Sequence, residues 1–168
     1  MKILLRYVFF IFFFFSCENE NAFRKEYHNL KNSVIVLPDS MDRHKNHGYK
    51  ILIYKDSLSC TPCYLKTLDT WNAFLKTFKR NPIEVLFIFE PKNADAASLP
   101  ILLKKRMAHH KYWIDTTGMF RRSNNQITSD DNLHCLLLDE NNKVVIIGDP
   151  LRNEKIRHLI TNKIYSQK

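Results

Sequence analysis

Two cysteines separated by two residues, Cys60-Thr61-Pro62-Cys63, are the side chains in this sequence best placed to do chemistry. They follow an apolar run, Lys50 to Tyr54 (KILIY), and precede a stretch of helical period. A thiolate at a helix N-terminus meets the positive end of the dipole and free backbone N–H groups, which lower its pKa. Two intervening residues let the sulfurs approach across the first turn, so a disulfide can form and reopen. Pro62 falls in that opening turn, where a missing N–H costs little. In such a pair Cys60 is the attacking, more exposed thiol, and Cys63 resolves the mixed disulfide. The same spacing serves two other purposes. One is an inert structural disulfide in an oxidising compartment. The other is half of a zinc site, for which only Cys135 and scattered histidines supply further ligands.

A third cysteine, Cys17, closes a different kind of segment. Six of the twelve phenylalanines fall between Phe9 and Phe15. Lys2 and Arg6 precede them, and Tyr7 to Phe15 is unbroken apolar sequence. That is the pattern of an export signal over residues 1–16. The run falls short of the roughly 20 apolar residues that a membrane-spanning helix needs. Ser16-Cys17 at its end resembles the lipobox of bacterial lipoproteins, although Phe14 and Phe15 depart from the usual pattern there. The resemblance implies cleavage before Cys17 and a lipid on its sulfur. More than one acyl chain gives stable anchoring. The expected organisation is a signal peptide over 1–16, a tether over 17–32 and one folded domain over 33–168.

Composition narrows the partners. The 168 residues carry 26 Lys+Arg against 17 Asp+Glu, a net charge of +9. The basic residues are scattered in small groups such as Lys104-Lys105-Arg106 and Arg121-Arg122. No nucleic-acid motif accompanies them, and an exported chain rarely meets nucleic acid, so that partner class is set aside. Three glycines leave no glycine-rich phosphate loop.

The elements that must position the cysteines follow from hydrophobic period. Ser33 to Leu37 (SVIVL), Lys50 to Tyr54, Ile83 to Phe89, Tyr112 to Ile114, His134 to Leu138 and Lys143 to Ile147 read as strands. Thr61 to Arg80, Asp95 to His110 and Asn153 to Ile164 read as helices. Glu18 to Asn32 reads as a tether or a short first helix, and Met119 to Asn132 as polar loop. A β–α–β crossover implies parallel pairing, and a terminal hairpin makes the sheet mixed.

In this order the sequence resembles the thioredoxin-like fold. It is closest to exported, membrane-tethered thioredoxin-like proteins and the related redoxin (peroxiredoxin-type) group of bacteria. The resemblance covers roughly Ser33 to Lys168. It is carried by KILIYKDSLSCTPCYLKTL, by IEVLFIF and by HCLLLDENNKVVIIGDP. It implies an α/β fold, a mixed central sheet flanked by helices. It also implies thiol–disulfide exchange with cysteines of exported cell-envelope proteins, with Cys60 and Cys63 catalytic and no cofactor beyond their redox disulfide. An upstream envelope thiol reductant and a membrane reached through the lipid are the further implied partners. Thr61 and Pro62, with Leu133, His134 and Cys135 at the start of the hairpin strand, are the implied substrate-facing loop.

The chain departs from the pattern in three places. Asn132-Leu133-His134-Cys135 holds no proline where active members carry a cis-proline. Tyr54 stands six positions before Cys60, where an acidic residue is frequent, and Ser59 replaces the usual Trp. Two other functions stay open on this sequence. One is a redox-inactive binding lipoprotein. The other is a Cu(I)- or Zn(II)-binding protein using Cys60, Cys63 and His134, since soft thiolates suit Cu(I).

Overall fold

The computed structural model describes residues 20–42, 48–58, 61–78, 83–92, 96–107 and 110–166. Cys17, Cys60 and the export signal lie outside the described residues. The strands are β1 (Lys50–Lys55), β2 (Glu84–Phe89), β3 (Lys111–Ile114), β4 (Cys135–Leu138) and β5 (Val144–Ile147). They form one sheet in the order β3-β2-β1-β4-β5. β1, β2 and β3 run parallel, while β4 pairs antiparallel with both β1 and β5. This is the mixed sheet expected of a β–α–β crossover followed by a hairpin.

The helices are α1 (residues 20–30), α2 (Asp39–Asp42), α3 (Thr61–Leu65), α4 (Leu68–Leu75), α5 (Leu99–Arg106), α6 (Met119–Ser123) and α7 (Glu154–Tyr165). Strand period 2 sorts the sheet residues into two cores. Ile51, Ile53, Val85, Phe87, Phe89, Cys135 and Leu137 pack with α3, α4, α5 and α7. Leu52, Tyr54, Leu86, Ile88, Leu136 and Leu138 pack with Leu30, Ile35, Leu37, Met41 and Phe120. Covered on both faces, β1 is buried along its whole length, as a central parallel strand should be. Even Lys50 is buried, its ammonium held 2.5 Å from Asn142 Oδ1 and 3.7 Å from Asp42.

Three local expectations change. Ser33 to Leu37 is not a ladder strand; it makes a single antiparallel bridge, Val34 to Lys143. The side chain of Asn124 takes the place of a neighbouring strand, accepting from Val36 N–H at 2.8 Å and donating to its carbonyl at 3.0 Å. The helix expected over 61–80 is two helices, broken at Lys66-Thr67. The Thr67 hydroxyl takes the Tyr64 carbonyl at 2.7 Å, and α4 restarts at Leu68 before a 3-10 turn over Lys76–Phe78. The stretch expected as loop over 119–132 holds α6 and a 3-10 turn, Asp131–Leu133.

The other boundaries move by a few residues. α5 opens at Leu99 with Pro100 in its first turn, where proline is tolerated. α7 begins after Asn153, whose side chain accepts from the N–H groups of Lys155 and Ile156.

Candidate functional site

The route to the cysteine pair is built by Asp56. Its carboxylate is 2 % exposed and accepts from Leu58 N–H at 3.0 Å, turning the chain as it leaves β1. α3 then opens at Thr61, which is buried, with Pro62 in its first turn and Cys63 exposed on its surface. Cys63 is disulfide-bonded, and Cys135 is free. The partner of Cys63 therefore lies outside the described residues.

Beside α3 is a cavity of about 340 Å³, where the start of β4 meets the ends of β1 and β5. Leu133, His134 and Cys135 line it, as does Tyr64, the residue after Cys63. Of the residues expected to face a substrate, Leu133, His134 and Cys135 share this wall with Tyr64 of α3, whereas Thr61 does not line it. All three loop residues are themselves largely buried, at 1 %, 2 % and 7 % exposure.

His134 lies in the stretch Asn132 to Cys135 where the resemblance expects a cis-proline, and no peptide bond among the described residues is cis. Its Nδ1 is 3.1 Å from Asp131 Oδ1 and its Nε2 is 2.8 Å from the Thr128 carbonyl. Its ring lies edge-on to Tyr54 with centroids 4.9 Å apart. Both ring nitrogens are engaged, so the histidine does not fit the role of third metal ligand beside the cysteines. Among the described residues no cluster of three His, Cys, Asp or Glu side chains is placed to hold a metal.

Cys135 faces the other way, into the α3 side of the sheet with Ile53 and Tyr64. Burial pushes its thiol well above the usual range, and the Asp149 carboxylate adds to that; Lys55 and Arg152 oppose it. Burial likewise raises the phenols of Tyr64 and Tyr54. For Tyr54, the hydrogen bond to Glu90 and that carboxylate's charge push further the same way. Tyr54 thus occupies the position of a frequent family acid as a neutral donor.

Several wall residues have no counterpart in the sequence reading. Lys55 is 8 % exposed; its ammonium sits 4.9 Å from the centre of the Tyr64 ring and 3.7 Å from Asp131. It places a positive charge between the end of β1 and α3. The signal was readable, since Lys55 has the same strand parity as Ile51 and Ile53. Gly148, Asp149 and Arg152 close the cavity after β5, and Phe23 and Tyr27 reach it from α1. Gly148 has φ +133, and a Cβ there would come within 3.0 Å of Ile156 on α7. The contribution of α1 carried no sequence signal, because its aromatic residues find the cavity only through the tertiary fold.

No family model matches the chain, and no curated protein sequence matches it. Solved structures do. A protein of Chlorobium tepidum assigned as the thiol:disulfide interchange protein DsbE aligns with TM-score 0.52 at 19 % identity, over 71 % of this chain and 82 % of that one. A thiol:disulfide interchange protein from a Bacteroides species aligns with TM-score 0.53 at 12 % identity, over 76 % and 80 %. The C-terminal domain of an uncharacterized Bacteroides fragilis protein aligns with TM-score 0.54 at 15 % identity, over 79 % and 98 %. The chain has the thioredoxin-like fold.

Proposed function

We propose that this protein is a membrane-tethered thiol–disulfide oxidoreductase acting on cysteines of exported cell-envelope proteins. One observation carries the reading: an exposed, disulfide-bonded Cys63 in the first turn of a helix that leaves the central strand of a thioredoxin-like sheet. The interchange activity named for two of the similar structures agrees with it.

In the reducing direction, the Cys60 thiolate attacks one sulfur of a partner disulfide. An S–S bond forms between the two proteins, and the partner's other sulfur leaves as a thiolate that takes up a proton. The Cys63 thiol then loses its proton and attacks the Cys60 sulfur. That closes the Cys60–Cys63 disulfide and frees the partner's second thiol. The partner gains two electrons and this chain loses two, which an envelope thiol reductant restores. No cofactor enters these steps. The positive charge of Lys55 near α3 supports a thiolate there.

Anchoring rests on Cys17 and the signal pattern before it. The proposed attachment is a lipid on the Cys17 sulfur, at the end of the lipobox-like pattern; among the described residues no helix is long and apolar enough to cross a membrane. Incorporation of labelled fatty acid, abolished by Cys17→Ala, is the expected result.

The redox step is tested by Cys63→Ser, which should hold partners as mixed disulfides on Cys60 that dithiothreitol releases. Partner capture that survives Cys60→Ser, with no mixed disulfide from Cys63→Ser, would turn the reading to a redox-inactive binding module. The absence of a proline from Asn132 to Cys135, where Leu133, His134 and Cys135 are buried, is the observation favouring that second reading.

A further inference from the structure

The carboxyl ends of the three parallel strands open onto a second cavity, of about 680 Å³, that shares no lining residue with the one beside β4. Ser57 and Leu58 follow β1, Glu90 to Lys92 follow β2, Thr116 to Gly118 follow β3, and α6 adds Arg121 and Arg122. Three cations thus meet one carboxylate, and Glu90 is already engaged by the Tyr54 hydroxyl. Arg121 donates to the Ser129 hydroxyl at 2.7 Å and Arg122 to the Thr117 carbonyl, so neutral acceptors fix both guanidinium groups. Among the described residues, none of the ion pairs includes Lys92, Arg121 or Arg122. Leu58 on the same wall is 72 % exposed.

Covalent geometry ties this cavity to the dithiol. Leu58 is two residues before Cys60, and consecutive Cα atoms are about 3.8 Å apart, so the two Cα atoms cannot be separated by more than about 7.6 Å. A macromolecule presenting a disulfide to Cys60 has this cationic cavity within its footprint.

We propose that the cavity is the docking site for an acidic segment of the exchange partner. The partner's Asp or Glu side chains face Lys92, Arg121 and Arg122, and an apolar residue covers Leu58. The inference rests on the redox reading and names its substrate class: disulfides flanked by acidic sequence. A polypeptide fits better than a small anion because the cavity is large and its wall mixes cations with Leu58 and Pro91. Complementary charge acts mainly on encounter rate and on rejection of wrong partners.

The test uses the reduced protein and three peptides sharing one disulfide core, with acidic, neutral or basic flanks. At low ionic strength the acidic peptide should have the higher kcat/KM, on the order of tenfold over the basic one. The gap should narrow at about 0.5 M salt, where screening is strong. Lys92→Glu should erase most of the preference; Lys92 is exposed and its reversal disturbs no hydrogen bond among the described residues. Lys105→Glu, the same charge change on exposed α5, should leave it.

Equal rates for the acidic and basic peptides would overturn the docking site and leave the redox reading standing. If no peptide turns over, the redox reading fails, and affinity decides the docking site separately. Acidic-peptide binding that weakens with Lys92→Glu then supports it, and no binding overturns it. Binding to phosphatidylglycerol vesicles that Lys92→Glu abolishes, with no peptide preference, overturns it in favour of a lipid surface.

Discussion

Cys135 shows how one position can hold a thiol and keep it from reacting. It opens β4 opposite Ile53, lies in the cavity wall beside α3, and is 7 % exposed. Its raised pKa keeps it protonated where an ordinary thiol begins to ionise. Iodoacetamide at pH 8 should therefore label it on the order of a hundredfold more slowly in the folded protein than in denaturant. Comparable rates in both states would contradict its burial. The same shift, with those of Tyr54 and Tyr64, makes stability depend on pH. The folded state keeps protons that the unfolded chain releases above about 8.5 for a thiol and about 10 for a phenol. These contributions are fully present below those values and are lost as pH rises through the raised folded values. Denaturant titrations from pH 7 to about pH 10.5 should show falling stability, whereas a flat profile would count against the burial of these groups.

Short elements here are made by single side chains more than by propensity. Asp115, 1 % exposed, accepts from Met119 N–H at 3.0 Å and Phe120 N–H at 2.7 Å, and from both Thr117 donors. Gly118 at φ +68 then turns the chain into α6. A five-residue helix carries too little period to be seen in sequence, which is why 119–132 reads as loop. Asp115→Ala should lower unfolding free energy by about 2–4 kcal/mol, since bonds to a charged acceptor contribute more than neutral ones. The denaturation midpoint would fall at unchanged m. Asn124, fully buried, does the equivalent work for Ser33 to Leu37: its amide bonds Val36 twice and the Phe120 carbonyl once. Asn124→Ala should cost a similar amount, while an unchanged midpoint would show that water replaces those bonds without loss.

At the scale of the molecule, the sheet alone does not complete the second core. Leu30, at the end of α1, is fully buried, as are Ile35 and nearly so Leu37. Phe23 and Tyr27 bring α1 to the cavity beside α3. A chain beginning at Asn32 keeps Ile35 and Leu37 but lacks Phe23, Tyr27 and Leu30, and should be less stable by about 2–5 kcal/mol, the range for emptying a buried leucine site. A chain beginning at Glu20 is the comparison, and equal melting temperatures for the two would show that α1 is a spacer only. The two cavities differ in chemistry. In one, aromatic and apolar side chains are joined by charges of both signs, Lys55 and Arg152 with Asp131 and Asp149; in the other, Lys92, Arg121 and Arg122 face the single carboxylate of Glu90.

The fold class is legible in the chain alone, because strand runs, a crossover and a hairpin are local patterns whose order permits few topologies. So is Cys60-Thr61-Pro62-Cys63, marked by spacing and by context between strand and helix. The partners of the buried polar side chains are set only when the chain folds. Whether His134 is a ligand or a satisfied core residue depends on Asp131, Thr128 and Tyr54, and whether Ser33 to Leu37 is a strand depends on Asn124. Those partners are far apart in sequence or set by loop geometry. A buried polar group takes whichever partner the folded chain brings to it, and no periodicity in the sequence records that choice.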